Sequence, residues 1–108
     1  MNADVMLHHI QQAIQMGDYS LSTHAEEERE ADQITRAEIL EAFAGEHVEL
    51  LEDYSADPRG HSMLVMGFTN AGLPIHAVFG VSGVQVLFIT VYRPDPQKWY
   101  DWRRRVRQ

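Results

Sequence analysis

Four side chains stand out as candidates for proton transfer and phosphate binding: His24, His76, Tyr92 and Arg93. An imidazole exchanges protons near neutral pH, so the two histidines are candidates for a general base and a general acid. A phenol can orient or protonate a leaving oxygen, and a guanidinium can bind a phosphate through two parallel hydrogen bonds. Each of the four also has a structural explanation that the sequence leaves open.

The two histidines lie in different predicted elements. His24 stands at the start of a predicted helix, where backbone amides favour a nearby anion, although a solvated histidine at a helix cap fits the same pattern. His76 alternates with apolar residues inside a predicted strand. It could be a catalyst or a hydrogen-bonded group in the core or at its edge. Four other histidines lack the i, i+4 spacing of a helical metal site: His8, His9, His47 and His61. With no cysteine present, the sequence predicts neither a metal centre nor a cofactor.

Tyr92 and Arg93 end the most strongly predicted strand, residues 84–93. This stretch has no Pro or Gly and is rich in β-branched and aromatic residues. Both alternating sets of side chains are mostly apolar, which predicts a strand near the centre of the sheet and covered on both faces. Pro94 stops it. Tyr92 and Arg93 lie at its polar end and have two explanations. Either they form a functional site, or Tyr92 packs at the edge of the core while Arg93 pairs with an acidic residue.

The cations are concentrated near the C-terminus, where six of nine lie between Arg93 and Arg107. Among them, residues 99–105 mix aromatic residues, including Trp99 and Trp102, with arginines, as single-strand binders do. Alternatively, the two tryptophans, three residues apart, dock a helix over residues 96–106 onto the sheet. Residues 1–57 carry a net charge of −12 and residues 58–108 carry +5. The halves either neutralise each other within the fold or leave a basic surface for an anionic partner.

The 108 residues predict one domain without disulfides. The net charge of −7 argues against a general nucleic-acid coating protein. Without an apolar run of membrane-spanning length or a basic signal-peptide region, we expect a cytoplasmic protein that does not enter the membrane.

Helices are predicted over residues 4–16, 23–32 and from 35 to a stop at Gly45. Capping boxes pair Thr23 with Glu26 and Thr35 with Glu38. The third helix is expected to direct inward Ile39, Leu40 and Phe43.

A brief edge strand at residues 19–22 precedes four longer strands, near residues 48–52, 62–69, 75–81 and 84–93. Turns at residues 57–60, 70–72 and 82–83 join these as hairpins. The order predicts an α+β fold: N-terminal helices, then a curled four- or five-stranded antiparallel sheet, then a C-terminal helix.

Several motifs together resemble domain of unknown function family 4258, over about residues 5–103: Ser22–Ala25, Gly45-Glu46 with Asp53-Tyr54, Gly67 followed by Gly72–His76, and Ile89–Trp99. The resemblance implies a single RelE-like or barnase-like RNase domain over residues 1–108. It further implies kinship with toxins of bacterial toxin–antitoxin systems and a small zinc-finger antitoxin as partner. The chain departs from the family where it has Glu28, Asp32 and Met63, because many members carry Arg at one of the first two positions and Cys at the third.

From this resemblance we expect a metal-independent endoribonuclease in which the RNA 2′-hydroxyl attacks the adjacent phosphate. His24 or His76 would be base and acid, Arg93 would stabilise phosphate charge, and Tyr92 would position the leaving oxygen. The cations expected to bind RNA are Arg29, Lys98, Arg103 and Arg104. The alternative is a non-enzymatic domain that binds a protein partner. Convergence of the four candidate side chains in one cleft would favour the enzyme.

Overall fold

The computed structural model describes residues 2–45, 47–83 and 85–107, and its architecture is α+β. The helices are α1 Ala3–Gln15, α2 Thr23–Ala31 and α3 Arg36–Phe43. The strands are β1 Tyr19–Leu21, β2 Glu49–Tyr54, β3 Ser62–Phe68, β4 Pro74–Ser82, β5 Gln85–Tyr92, β6 Trp99–Tyr100 and β7 Arg104–Arg105. Val84 and Glu46, on which a predicted strand start and a family motif fall, lie outside the described residues. No helix in the described ranges is both long and apolar enough to cross a membrane.

The main sheet has five strands in the order β1-β5-β4-β3-β2. Successive hairpins make β2 to β5 antiparallel, as predicted. The expected edge strand also forms, but β1 runs parallel to β5, with Tyr19 opposite Val86. The prediction of an entirely antiparallel sheet is therefore wrong. No hairpin constrains β1, because two helices and three strands separate it from β5 and allow either direction.

The helices cover one face of the sheet. Phe43 of α3 packs edge-on against Phe79 and Phe88, with ring centroids 5.4 and 5.9 Å apart. At the same contact, a Cβ on Gly67 would lie 2.0 Å from the carbonyl oxygen of Ala42, so only glycine fits there. Among the described residues no helix lies on the opposite face, and Leu87 of β5 is 36% exposed there. The expectation that β5 is covered on both faces is therefore wrong.

Two helix starts differ in how they are capped. Thr35 and Glu38 form the predicted capping box of α3. The cap of α2 is Ser22 rather than Thr23, because the Ser22 hydroxyl accepts from the Ala25 N–H at 3.0 Å.

One side chain of α3 is oriented differently from the prediction. Leu40 is 43% exposed, whereas Ile39 and Phe43 are buried as predicted. Ala42 takes the remaining inward position, since it faces the sheet at Gly67.

The C-terminal segment is a β6–β7 hairpin, and the predicted helix is wrong. Its turn has positive φ at Asp101 (50°) and Trp102 (63°), and the Arg103 N–H donates to the Tyr100 carbonyl at 2.9 Å. Such φ values are costly for a bulky residue and persist only where surrounding contacts enforce them. Here the Trp102 carbonyl is held by His76 and the Arg103 guanidinium by Glu49. Tertiary contacts thus override the local helical pattern.

Candidate active site

His76 and Tyr92 meet beneath the C-terminal hairpin, on the sheet face without helices. The Nε2 atom of His76 lies 2.6 Å from the Trp102 carbonyl oxygen, and Nδ1 lies 3.1 Å from the Tyr92 hydroxyl. Because a carbonyl only accepts, Nε2 carries the proton and Nδ1 accepts from Tyr92. The ring of Trp99 packs edge-on against the imidazole at 4.5 Å. His76 is fully buried, and both ring nitrogens are hydrogen-bonded within the protein.

Burial keeps this pair uncharged. It lowers the pKa of His76, an effect only partly opposed by the bond to Trp102 and by the charge of Glu52. Burial also raises the pKa of Tyr92 to about 12. Through its bond to the Trp102 carbonyl, the pair joins the hairpin to the sheet.

Arg93 points to the helical side and is held between α2 and α3. Its Nε donates to the Asp32 carbonyl at 2.9 Å and its Nη2 to the Gln33 carbonyl at 3.2 Å. The same Nη2 contacts the Glu38 carboxylate at 3.0 and 3.1 Å. The backbone amide of Thr35 and this guanidinium together hold the pKa of Glu38 below its usual range. Arg93 is thus the ion-pair partner that the sequence left open.

The four cations expected to bind RNA divide into two pairs. Arg29 donates to the Ile34 carbonyl at 3.0 Å and to Glu26 at 3.2 Å. Arg103 binds Glu49 through two bonds of 2.7 and 2.9 Å. The other two are exposed and have no acidic partner among the described residues: Lys98 and Arg104.

His24 lies elsewhere, in an open groove beside the hairpin-covered part of the same sheet face. The groove comprises two adjoining cavities of about 350 and 530 Å³. Both are lined by Asp57, Arg59, Ser62 and Ile89. His24 and Thr90 line one of them. Of the four candidate side chains, only His24 lines this groove, and only His76 and Tyr92 contact each other.

The groove holds two imidazoles, each paired with a carboxylate. The exposed His24 has its Nε2 3.4 Å from an oxygen of Glu28, one turn along α2. His61, which lines the second cavity, has its Nε2 in close contact with Asp53. A carboxylate accepts hydrogen bonds, so the bond to Asp53 places the proton of His61 on Nε2 and leaves its Nδ1 as an acceptor, whereas His24 and Glu28 are within ion-pair distance only.

Arg59 is the cation of the groove. Its side chain is 85% exposed, and its Nε and Nη2 make long bonds of 3.3 and 3.4 Å to the two oxygens of Asp57. An exposed ion pair of this kind is weak, so the guanidinium can turn to another anion at little cost. Two imidazoles, each close to a carboxylate, and one guanidinium thus line a single open groove.

Sequence reasoning missed His61, Asp53 and Arg59. The predicted turn at residues 57–60 was a usable signal, because it makes β2 and β3 a hairpin. In that hairpin Asp53 lies opposite Met63, two residues from His61. The hairpin register therefore brings the histidine within reach of the carboxylate.

The family model described as Domain of unknown function (DUF4258) matches residues 21–93. The matched segment runs from the end of β1 to the residue after β5 and includes the whole groove lining except Ser20. No curated protein and no solved structure matches the chain.

Proposed function

The chain belongs to the family described as Domain of unknown function (DUF4258), and on that premise we propose that it cleaves RNA in the groove. The supporting observation is that two carboxylate-paired imidazoles and an exposed guanidinium line one open groove. RNA carries its own nucleophile, the 2′-hydroxyl, so the protein needs to supply only a base, an acid and a cation. A RelE-like, toxin-type ribonuclease would use this minimal set.

In the proposed reaction, one imidazole removes the proton of the 2′-hydroxyl through its free Nδ1. The 2′ oxygen then bonds to phosphorus, the bond from phosphorus to the 5′ oxygen breaks, and the other imidazole, in its protonated form, donates a proton to that oxygen. The products are a 2′,3′-cyclic phosphate and a 5′-hydroxyl. Glu28 and Asp53 orient the rings of His24 and His61, while Arg59 stabilises the negative charge that develops on the phosphate.

The other sequence candidates receive positioning roles in this proposal. Arg93 holds α2 beside β5 and thereby places His24 at the groove. His76 and Tyr92 hold the hairpin against the sheet. We expect their replacement to change protein stability more than the rate of the chemical step.

The test is cleavage of a fluorogenic oligoribonucleotide in EDTA between pH 5 and 9. Replacing His24 or His61 by alanine should each lower the rate by about 10²- to 10⁴-fold. The matched control is His8→Ala, an exposed histidine on α1, which should leave the rate unchanged. RNA that stays uncut at every pH, or equal rates for all three variants, would refute the proposal.

A second candidate is the non-enzymatic domain that binds a partner protein, such as a small zinc-finger antitoxin. The carboxylates of Glu28, Asp53 and Asp57 around the groove favour it, because they oppose binding of a phosphate chain. Expression in a bacterial host separates the two functions. Toxicity that His24→Ala relieves supports the ribonuclease, whereas harmless expression together with uncut RNA supports the interaction domain.

A further inference from the structure

The C-terminal hairpin has two faces of different character. Tyr100 and Arg104 lie directly opposite each other in the β6–β7 register, so their side chains share one face. The next pair, Trp99 and Arg105, takes the other face, where Trp99 is buried and contacts His76. Tyr100 is 57% exposed.

Three residues on the solvent side form what we call the outer hairpin surface: Tyr100, Arg104 and Arg107. Together with Arg105 they line a cavity of about 510 Å³. Within the described part of the chain, neither Arg104 nor Arg107 has a hydrogen bond or an ion pair through its guanidinium. These two charges are therefore available to a ligand.

Two neighbouring arginines bind the hairpin to β2. Arg105 binds Glu52 through two bonds of 2.9 and 3.1 Å, and its guanidinium lies 4.8 Å from the centre of the Trp99 ring. Arg103 binds Glu49 in the same bidentate manner. Bidentate pairs fix orientation as well as distance. The outer hairpin surface therefore belongs to a hairpin that two bidentate ion pairs hold against β2.

The same contacts connect this surface to the groove. Tyr54 lies beside the groove, lining one of its cavities, and its hydroxyl contacts Glu52. Glu52 in turn binds Arg105, which lines the hairpin cavity. The two sites are therefore neighbours joined by one chain of contacts.

We propose that the outer hairpin surface binds single-stranded RNA next to the groove, with Tyr100 stacked on a base and Arg104 and Arg107 on flanking phosphates. This deepens the proposed function and rests on it for the identity of the ligand. An exposed aromatic ring beside unpaired guanidiniums supplies both contacts that single-stranded nucleic acid offers, a π-face and a phosphate. An acidic protein segment would use the cations but has no need of the stacking platform.

The test uses a labelled single-stranded oligoribonucleotide with 2′-O-methyl groups, which cannot be cleaved, and fluorescence anisotropy across a salt series. Removing both phosphate contacts with Arg104→Ala/Arg107→Ala should reduce the slope of log affinity against log salt by about 1.4. Tyr100→Ala should weaken binding by at least about fivefold. The control is Arg36→Ala, an exposed arginine on α3, which should leave slope and affinity unchanged.

The outcomes separate this inference from the ribonuclease proposal. If RNA binding depends on the three residues but the protein cuts no RNA, the proposed RNA-binding surface is supported and the proposed ribonuclease activity is refuted. If the double variant cleaves RNA with an unchanged KM, the ribonuclease proposal stands and the proposed RNA-binding surface is refuted. Undetectable oligonucleotide binding at low salt, or tighter binding of a polyglutamate peptide at the same residues, also overturns it.

Discussion

Replacing His76 by phenylalanine tests how the hairpin is attached to the sheet. The substitution keeps an aromatic ring of similar size but removes both hydrogen bonds, to the Trp102 carbonyl and the Tyr92 hydroxyl. A buried polar group left without a partner costs about 1–3 kcal/mol. Because Tyr92 is only partly buried, water can satisfy part of its loss. We therefore expect the free energy of unfolding at pH 7.5 to fall by about 2–4 kcal/mol.

The effect of His76→Phe should depend on pH in a defined direction. Burial lowers the pKa of His76 in the folded protein, so in mild acid the unfolded chain binds a proton that the folded chain does not. The wild-type protein therefore loses stability as pH falls below the ordinary imidazole range, by at most about 1.4 kcal/mol per pH unit from this group. The variant lacks this loss. The difference in stability between the two proteins should shrink from pH 7.5 to 5.5.

Urea unfolding followed by tryptophan fluorescence measures both effects. The control is Tyr92→Phe, which removes only the hydroxyl and should cost about 0.5–1.5 kcal/mol. Combining it with His76→Phe should cost less than the sum, because no phenol is then left unpaired. A His76→Phe protein as stable as the wild type, or a difference that widens in acid, would refute this account of the hairpin.

Three further predictions concern the helical side of the sheet. Gly67→Ala should destabilise the protein by at least about 3 kcal/mol in thermal unfolding, because the added Cβ would clash with the Ala42 carbonyl oxygen. The control is Gly45→Ala, where a Cβ meets open space and the free energy of unfolding should change by less than about 0.5 kcal/mol. Arg93→Ala should lower the free energy of unfolding by about 1–3 kcal/mol, because Arg93 holds the end of α2 and the start of α3; a variant as stable as the wild type would contradict this role. Glu38 has a lowered pKa in the folded state, so its stabilising effect is present at neutral pH and is lost as pH falls through that pKa. The difference in free energy of unfolding between the wild type and Glu38→Gln should therefore narrow on acidification. A difference that stays constant with pH would contradict this.

The parts of the fold that the sequence predicts are those set by local chemistry. Strands β2 to β5 follow from alternation and from turn residues such as Gly72, whose φ of 82° suits the loop predicted there. The capping box of α3 is equally local, since its partners are three residues apart. The β6–β7 hairpin is different, because Trp102 is held with φ at 63° by His76, 26 residues away. Local pattern carries no information about that bond.

The candidate site divides along the same line. The residue type of Arg93 allows a phosphate clamp or an ion pair, and the choice depends on α2 and α3 bringing Glu38 to its guanidinium. His76 likewise becomes a core group only because the hairpin lies over it. By contrast, the pairing of His61 with Asp53 lies within one hairpin whose turn the sequence predicts. That pair was accessible to sequence reasoning, and the other two assignments were not.

Acidic side chains of α2 and of its C-cap are engaged by the sheet, so in the proposed function any phosphate contact would come from other elements. Beyond the end of β1, the outer edge of β5 has backbone N–H groups without a strand partner, and α2 supplies acceptors for them. Glu28 accepts from the Val91 N–H at 3.1 Å and Asp32 from the Arg93 N–H at 2.8 Å.

A guanidinium has no acceptor, so an arginine in place of Glu28 or Asp32 could not cover this edge. Glu28 and Asp32 therefore accept backbone hydrogen bonds from β5 and the residue after it, and these two side chains are not available to bind a phosphate. Among the described arginines on the helix-free side of the sheet, three have guanidiniums that are unpaired or only weakly paired: Arg59, Arg104 and Arg107. If RNA is the ligand, it must lie across that side.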